Sequence, residues 1–320
     1  MKNILEIENL SISTKLSETE INIVDGISLS VSVGEVTGLI GESGSGKSIT
    51  ALAVMGLLPS NLKISSGSIK LDGLELTSVS QKHFHNIRGK IAAMIFQEPM
   101  TSLNPVIKIG EQIAEVFKLH CRLTKKDAHN KAVEALSKVG IGDPKKRAEQ
   151  YPYQLSGGMR QRVMIAMALA SEPKLLIADE PTTALDATVQ AQILELLHSI
   201  IETEKEKGIL FISHNIGVVS EIADKAVVIY SGRDVESGDA EALLNMPQHP
   251  YTEGLIASMP KHSNKSKRLC TIPGQIPRPI ERLSGCSFRN RCSFAKEICS
   301  EEISVQSKNG YKLRCIKELK

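Results

Sequence analysis

The run Gly41-Glu42-Ser43-Gly44-Ser45-Gly46-Lys47-Ser48 has the residue types and the spacing to bind a phosphate chain. It follows an apolar run (36–40) typical of a short buried strand and precedes a run (49–58) typical of a helix start. The glycines let successive N–H groups point into one concavity, and the new helix adds its positive end. Lys47 would reach the β- and γ-phosphates, and the Ser48 hydroxyl would bind Mg²⁺. The run therefore predicts a site for a nucleoside di- or triphosphate, and its setting disfavours a glycine turn that binds nothing.

Two adjacent carboxylates, Asp179 and Glu180, follow the apolar strand pattern of residues 175–178. Ligands of open α/β sheets lie at the carboxyl ends of the strands. Asp179 suits a contact to Mg²⁺ through water, and Glu180 suits a general base that polarises water for attack on a γ-phosphate. Such a pair alone is more often a solvated strand end, but the phosphate loop upstream favours the catalytic interpretation.

A second glycine element, Leu155-Ser156-Gly157-Gly158-Met159, also precedes a helical pattern. Its serine, its glycines and the start of the helix could form another anion site. A lone Ser-Gly-Gly is usually a turn. Here it stands shortly before Asp179 and Glu180, which favours a role in the same chemistry.

The elements that must position these motifs alternate between strand and helix. Alternating apolar and polar residues before position 36 predict extended structure, and with residues 68–71 they predict an antiparallel sheet. Apolar spacing over 109–139 predicts an inserted helical lobe, placed at about 105–170. A long helix that carries Val189, Ile193, Leu197 and Ile200 is predicted after Asp179 and Glu180, and Gly208 is predicted to end it. The remaining strands predict a parallel sheet with helices on both faces.

Bulk composition is that of an ordinary globular protein. The 320 residues are 41% apolar and 23% charged, with a net charge of +3 and a pI near 8.4. This weakly basic balance does not call for a nucleic-acid partner. The N-terminal residues are too often charged for a signal peptide, and no apolar run reaches the length of a membrane span. We therefore expect the protein to stay in the cytosol, with any membrane role exerted through a partner.

Taken in order, the motifs resemble those of the nucleotide-binding subunit of an ATP-binding-cassette (ABC) transporter. The resemblance covers about residues 4–258, so residues 1–258 are predicted to form the ATPase domain. It implies a RecA-like nucleotide-binding core with an antiparallel β-subdomain and an inserted helical subdomain. It rests on the following, in the family's order: the phosphate loop, Gln97 within Ile95-Phe96-Gln97-Glu98-Pro99, the signature 155–159, Asp179-Glu180, Ala184-Leu185-Asp186 and His214.

The resemblance also implies a role for each motif in ATP binding and hydrolysis. Two cassettes would pair head to tail, so that Ser156, Gly157 and Gly158 bind the ATP held by the partner's phosphate loop. Gln97 would sense Mg²⁺ and the attacking water, and His214 would contact the γ-phosphate. Asp186 would couple the two sites. Without the other motifs, Gln97 would be interpreted as a solvated loop glutamine and His214 as an ordinary histidine at the end of a strand.

One position departs from the family pattern. Such cassettes usually carry an aromatic residue near the end of the first strand to stack on adenine, but Thr14 stands there. Stacking on an aromatic is worth roughly 1–3 kcal/mol in nucleic-acid binders. We therefore expect weaker ATP binding unless Ile12 or another residue covers the base.

The composition changes after about Met259, so residues 259–320 are predicted to form a separate tail. A polar and basic run (261–268) is followed by prolines and by Cys286, Cys292, Cys299 and Cys315. The segments 248–255, 272–274 and 285–292 resemble the oligopeptide/dipeptide/nickel permease group of these ATPases. That resemblance implies a [4Fe–4S] cluster on the four cysteines.

The cysteine spacing itself, C-x5-C-x6-C-x15-C, matches neither a ferredoxin run nor a C-x2-C zinc ribbon. Four thiolates can complete an iron–sulfur or a zinc site, so zinc and unliganded thiols remain alternatives. Cys121 and Cys270 are interpreted as bystanders.

The functional expectation is an ATP-hydrolysing importer subunit for peptides, nickel or metal chelates at the cytoplasmic face of the membrane. Its cofactors would be ATP and Mg²⁺. Its partners would be two transmembrane permease subunits, a second cassette (identical or paralogous) and an external solute-binding protein, without nucleic acid. The alternative is a soluble cassette ATPase that acts on DNA or the ribosome. Such proteins usually have a long coiled coil or two cassettes in one chain, and the sequence shows neither.

Overall fold

The structure, a computed structural model, describes residues 2–16, 18–98, 102–259 and 271–319. The predicted basic linker 261–268, Cys270 and Pro99 lie outside the described residues. The chain divides into two compact units. The first comprises Met1–Ser78 and Phe211–Lys320, and the second comprises Val79–Leu210.

The first unit contains a four-stranded antiparallel sheet. Its apolar residues alternate with polar ones, so that Ile27, Leu29 and Val31 are buried along one strand while the intervening serines are more exposed. This sheet confirms the predicted antiparallel β-subdomain. Its strands are β1 (Asn3–Leu16), β2 (Thr19–Ser32), β4 (Leu62–Leu71) and β5 (Leu74–Glu75), and they lie in the order β2-β1-β4-β5.

The first unit also contains the strands on which the phosphate loop stands. β3 (Val36–Ile40) is fully buried and pairs in parallel with β9 (Lys225–Tyr230), and β9 pairs antiparallel with β10 (Arg233–Asp239). A strand buried throughout is apolar throughout, as the run 36–40 is. The helices of this unit are α1 (Lys47–Val54), α8 (Ile216–Ser220), α9 (Ala240–Asn245) and α10 (Pro250–Ala257).

The C-terminal tail adds two short strands to the same unit. β12 (Tyr311–Leu313) pairs antiparallel with β10, and β11 (Gln306–Lys308) pairs with β12. The preceding tail residues form short 3-10 helices at Pro279–Glu281, Arg289–Arg291 and Glu297–Ser300. The tail is thus attached to the first unit by backbone hydrogen bonds.

The second unit combines two parallel strands with helices. β6 (Ala92–Ile95) pairs in parallel with β7 (Leu175–Asp179), and helices fill the predicted lobe. β8 (Gly208–Ser213) crosses the division between the units. The helices of the second unit are α2 (Gln81–Ile87), α3 (Ile109–Cys121), α4 (Lys125–Lys138), α5 (Pro144–Ala148), α6 (Gly157–Leu169) and α7 (Ala187–Thr203).

The end of the long helix α7 was predicted too late in the chain. The helix ends at Thr203, and Gly208 is the first residue of β8. The N–H of Lys207 bonds to the carbonyl of Glu204 in a turn, and the N–H of Gly208 bonds to the carbonyl of Lys174. Gly208 therefore begins a strand and does not cap the helix, because its N–H bonds to a residue that is distant in the chain. Within the described ranges, no helix combines the length and apolarity that a membrane crossing requires.

Candidate functional site

The phosphate loop connects β3 to α1 and depends on glycine at defined points. Gly44 and Gly46 have φ of 81° and 104°, in the left-handed region that favours glycine. A Cβ on Gly41 would lie 2.3 Å from the carbonyl oxygen of Ile229 and 2.7 Å from Ser45 Oγ. The loop is therefore curled tightly against β9, and side chains are excluded where the backbone turns.

Polar groups of the loop are arranged for an anion. Lys47 is buried, and its Nζ donates to the carbonyl oxygens of Gly41 at 2.7 Å and Glu42 at 3.0 Å. Ser45 Oγ is buried and has no hydrogen-bond partner among the described residues. A buried hydroxyl without a partner is costly, and a phosphate oxygen would satisfy it. The loop therefore fits the phosphate chain that its sequence predicts.

In the second unit, Gln97 and Glu180 lie in contact. Gln97 Nε2 donates to Glu180 Oε2 at 3.1 Å, and Thr183 Oγ1 donates to the same oxygen at 3.0 Å. Glu180 is buried and has φ of 48°, a left-handed conformation that strains a residue with a side chain. Asp179 ends β7 and is buried as well. Sequence reasoning missed Thr183, for which the only available signal was its position three residues after Glu180.

The signature residues open a helix, as predicted. Ser156 is the N-cap of α6, and its Oγ accepts a hydrogen bond from the N–H of Met159 at 3.3 Å. Ser156 and Gly157 are exposed. A Cβ on Gly158 would lie 2.6 Å from Val189 Cγ1, so glycine lets α6 and α7 approach closely. The signature thus presents a helix N-terminus at the surface of the second unit.

The remaining predicted residues lie at the start of a helix, directly after a strand or within a strand. Asp186 caps α7, with its Oδ1 accepting from the N–H of Val189 at 2.9 Å. His214 is exposed and directly follows β8. Thr14 lies in β1, where its Oγ1 donates to the carbonyl oxygen of Asn61 at 3.0 Å. The phosphate loop and His214 belong to the first unit, and the other catalytic candidates belong to the second.

Comparison with known proteins shows to which family this chain is similar. A family model described as ABC transporter matches residues 24–183, and one described as the C-terminal region of oligopeptide/dipeptide transporters matches residues 235–299. The oligopeptide transport ATP-binding protein AppD of Bacillus subtilis (strain 168) is 48% identical over 98% of this chain and 97% of its own length. The chain belongs to the ABC transporter family.

Further relatives of this ABC protein, and solved structures similar to it, point to the same family. A putative peptide import ATP-binding protein of Brucella abortus (strain 2308) is 45% identical over 96% of this chain and 92% of its own length. The ATP-binding cassette MJ0796, solved as a dimer bound to ADP and Pi, matches with a TM-score of 0.66 and 25% identity, over 74% of this chain and 98% of that chain. CbiO1 from Clostridium perfringens matches with a TM-score of 0.66 and 27% identity, over 77% of this chain and 92% of that chain. The predicted cassette fold is confirmed.

The tail of this ABC protein brings its four predicted cysteines around one cavity of about 400 Å³, here called the thiol cavity. Cys299 and Cys315 are buried and Cys286 and Cys292 are partly buried, whereas Cys121 is exposed in the helical lobe. Burial raises the pKa of the Cys286 thiol to about 11, and it raises the pKa of Cys292 and Cys315 as well. Burial therefore favours the neutral thiol at Cys286, Cys292 and Cys315, and a bound metal would displace their protons.

His249 also lines the thiol cavity and is almost fully buried. Burial lowers the pKa of its imidazole to about 3, which keeps the ring neutral. Because Nδ1 accepts a hydrogen bond from the N–H of Tyr251 at 3.1 Å, the ring proton must reside on Nε2. Nε2 has no hydrogen-bond partner among the described residues. An acceptor atom in the cavity would satisfy this buried donor.

Proposed function

We propose that this protein is the ATP-binding and ATP-hydrolysing subunit of an importer that takes up peptides through separate membrane subunits. The observation that carries the proposal is the presence, in one chain, of an intact phosphate loop, a Gln97–Glu180 pair and a matched oligopeptide-transporter C-terminal region. The relatives are named for oligopeptide and peptide import, which favours peptides over the nickel or metal chelates that the sequence left open. The alternative of an ATPase acting on DNA or the ribosome has no support among these relatives.

ATP is held between two cassettes in this proposal. The phosphate loop of one chain, Gly41 to Ser48, binds the phosphates, and Ser156, Gly157 and Gly158 of the other chain close over them. The exposure of Ser156 and Gly157 at a helix N-terminus supports this role, because their polar groups are available to a second molecule. Asp186, at the start of α7, is proposed to link the two sites. The second cassette is an identical chain or a paralogue.

Hydrolysis is assigned to residues of the second unit together with His214. Glu180 accepts a proton from water as the water oxygen bonds to the γ-phosphorus and the bond to ADP breaks. Hydrogen bonds from Gln97 and Thr183 orient its carboxylate for this step. His214 is proposed to contact the γ-phosphate. Ser48, Gln97 and Asp179 would hold Mg²⁺, which neutralises charge on the phosphates when bound.

The membrane partners follow from the family. The ATPase subunit of an ABC importer works with permease subunits that form the path across the membrane. We place the protein at the cytoplasmic face, bound to two such subunits. An external solute-binding protein would deliver the peptide, and substrate choice would belong to these partners.

The thiol cavity is proposed to hold a [4Fe–4S] cluster on Cys286, Cys292, Cys299 and Cys315. Among the described residues, no three Cys, His, Asp or Glu side chains are placed to share a single metal ion, which disfavours zinc. A four-iron cluster distributes its cysteines over different irons and so needs a larger cavity, such as the one observed. The unpartnered Nε2–H of His249 fits a sulfur acceptor.

Chemical analysis tests the cluster directly. Protein purified without oxygen should be brown, absorb near roughly 400 nm and contain iron and sulfide. Replacing Cys292 with serine should remove the colour, whereas Cys121→Ser should retain it because Cys121 lies in the other unit. Colourless, iron-free protein would leave the thiols unliganded and contradict the proposal.

Co-purification tests the transport function. The tagged chain is extracted from native membranes in detergent, and its partners are identified by mass spectrometry. Recovery of two permease subunits and a second cassette is expected. Recovery of ribosomes or DNA-processing proteins instead would overturn the transport function while leaving the ATPase chemistry intact.

A further inference from the structure

Glu42, the second residue of the phosphate loop, is held by two residues from the C-terminal part of the chain. Arg291 Nη1 lies 3.1 Å from both carboxylate oxygens of Glu42. The hydroxyl of Tyr251 accepts a hydrogen bond from the backbone N–H of Glu42 at 2.9 Å. Both the side chain and the backbone of this residue are thus fixed from outside the loop.

Arg291 is itself held in place on several sides. Its Nε donates to the carbonyl oxygen of Pro273 at 2.8 Å, and its guanidinium lies over the rings of Tyr230 and Phe288 at 5.7 Å and 5.9 Å. Only 9% of its side chain is exposed. A charged group that is buried and ordered in this way keeps its partner in one geometry, unlike a mobile surface ion pair.

Tyr251 is equally fixed. It is fully buried, and its ring lies 4.7 Å from the ring of Tyr230 and 5.4 Å from that of Phe288. Its hydroxyl is therefore a rigid acceptor for the loop N–H. Arg291 immediately precedes Cys292, so the support of the loop is continuous with the wall of the thiol cavity.

We propose that Arg291 of the C-terminal tail and Tyr251 of the preceding helix α10 are positioning residues of the ATP site, and that the tail sets the affinity of the phosphate loop for ATP through Arg291. The proposal rests on the ATPase function proposed above. Arg291 neutralises a carboxylate that would otherwise repel the phosphates, and Tyr251 fixes the backbone that must cradle them. Neither residue is assigned a contact with the reacting atoms.

The first test measures ATP affinity of the purified full chain by displacement of a fluorescent ATP analogue. Arg291→Met should weaken ATP binding about 5- to 50-fold, the usual size of coupling between neighbouring groups. Glu42→Gln removes the repelling charge, so the same Arg291→Met change made in that background should cost less than about threefold. An unchanged affinity in Arg291→Met, or an equal loss in both backgrounds, would contradict the proposal.

A matched control separates positioning from stability of the tail. Arg314 is also a tail arginine, and it pairs with Asp234 at 2.8 Å. Arg314→Met therefore removes an ion pair of the same kind whose partner lies in β10 and not in the phosphate loop, and it should leave ATP affinity within about twofold of the parent. An equal loss of affinity in Arg314→Met would assign the effect to general loosening of the tail and overturn the proposal.

A kinetic readout distinguishes positioning from catalysis. Arg291→Met and Tyr251→Phe should raise KM for ATP while kcat at saturating ATP stays within about twofold, because neither residue touches the reacting atoms. Tyr251→Phe keeps the buried ring and leaves the N–H of Glu42 without its acceptor. A fall in kcat at unchanged KM would refute the proposal. Failure of the parent chain to bind ATP would instead refute the proposed function.

Discussion

The amide of Gln97 donates a hydrogen bond to the carboxylate of Glu180 at 3.1 Å, although the two residues are 83 positions apart. Glu180 also receives a hydrogen bond from Thr183 and adopts φ of 48°. A strained backbone conformation costs on the order of 1–3 kcal/mol and persists only where the surroundings impose it. The arrangement therefore fixes the direction of one carboxylate, as a positioned base requires.

Glu180→Gln should bind ATP but hydrolyse it about 10²–10⁴-fold more slowly, because the proton acceptor is lost while the shape is kept. The measurements are ATP affinity and phosphate release. Glu172→Gln is a matched control, since Glu172 is an exposed glutamate of the same unit that also has a positive φ, and its turnover should be unchanged. Near-normal hydrolysis by Glu180→Gln would show that another group is the base.

Gln97→Glu should shift the pH dependence of hydrolysis. The new carboxylate would face Glu180, and like charges at this distance raise the pKa of the pair. Because the base must be deprotonated, the acid limb of the pH–rate profile should move to higher pH by about one unit or more. Gln97→Ala removes a hydrogen-bond donor without adding charge, so its acid limb should move less than that of Gln97→Glu. An unshifted limb in Gln97→Glu would argue against contact between the two side chains in the working enzyme.

Thr14→Tyr should strengthen ATP binding by about 5- to 150-fold if the first strand contacts adenine, since stacking on an aromatic is worth roughly 1–3 kcal/mol. Equilibrium titration with ATP measures the gain. The side chain of Thr14 also bonds to the carbonyl oxygen of Asn61, so Thr14→Val is needed to report the loss of that bond alone. No gain in Thr14→Tyr would mean that another residue already covers the base.

Glu75→Gln should destabilise the protein in a pH-dependent manner. Partial burial by itself would raise the pKa of Glu75, but hydrogen bonds from Ser68, Thr77 and the N–H of Ile69 outweigh it and lower the pKa to about 2. Its stabilising contribution is therefore complete above the unfolded pKa of 4.5 and is lost as pH falls from there toward 2.

Chemical unfolding at a series of pH values checks this expectation. The difference between the parent and Glu75→Gln should be largest near neutral pH and should shrink below pH 4.5. Glu18→Gln alters a side chain that is 97% exposed and should leave the unfolding midpoint unchanged throughout. A difference that stays constant with pH would assign the effect of Glu75→Gln to packing.

Local patterns predicted much of the cassette because their causes lie within a few residues. The strand, glycine loop and helix of residues 36–54 follow from an apolar run, the conformational freedom of glycine and the start of a helix. The alternation of apolar and polar residues before position 36, which predicted the antiparallel strands, is also a local pattern. The predicted end of α7 was wrong because Gly208 starts β8 through a hydrogen bond to the carbonyl of Lys174, which no local pattern encodes.

By itself, the sequence determined the family, the order of the motifs and the residue types available for phosphate binding and hydrolysis. Only the tertiary structure decided that Arg291 supports Glu42 across 249 positions of chain and that four unevenly spaced cysteines share a cavity with His249. The physical reason is that glycine conformations, caps and hydrophobic periodicity act between neighbours. A hydrogen bond between distant residues exists only after strands and helices have packed and brought them within about 3 Å of each other.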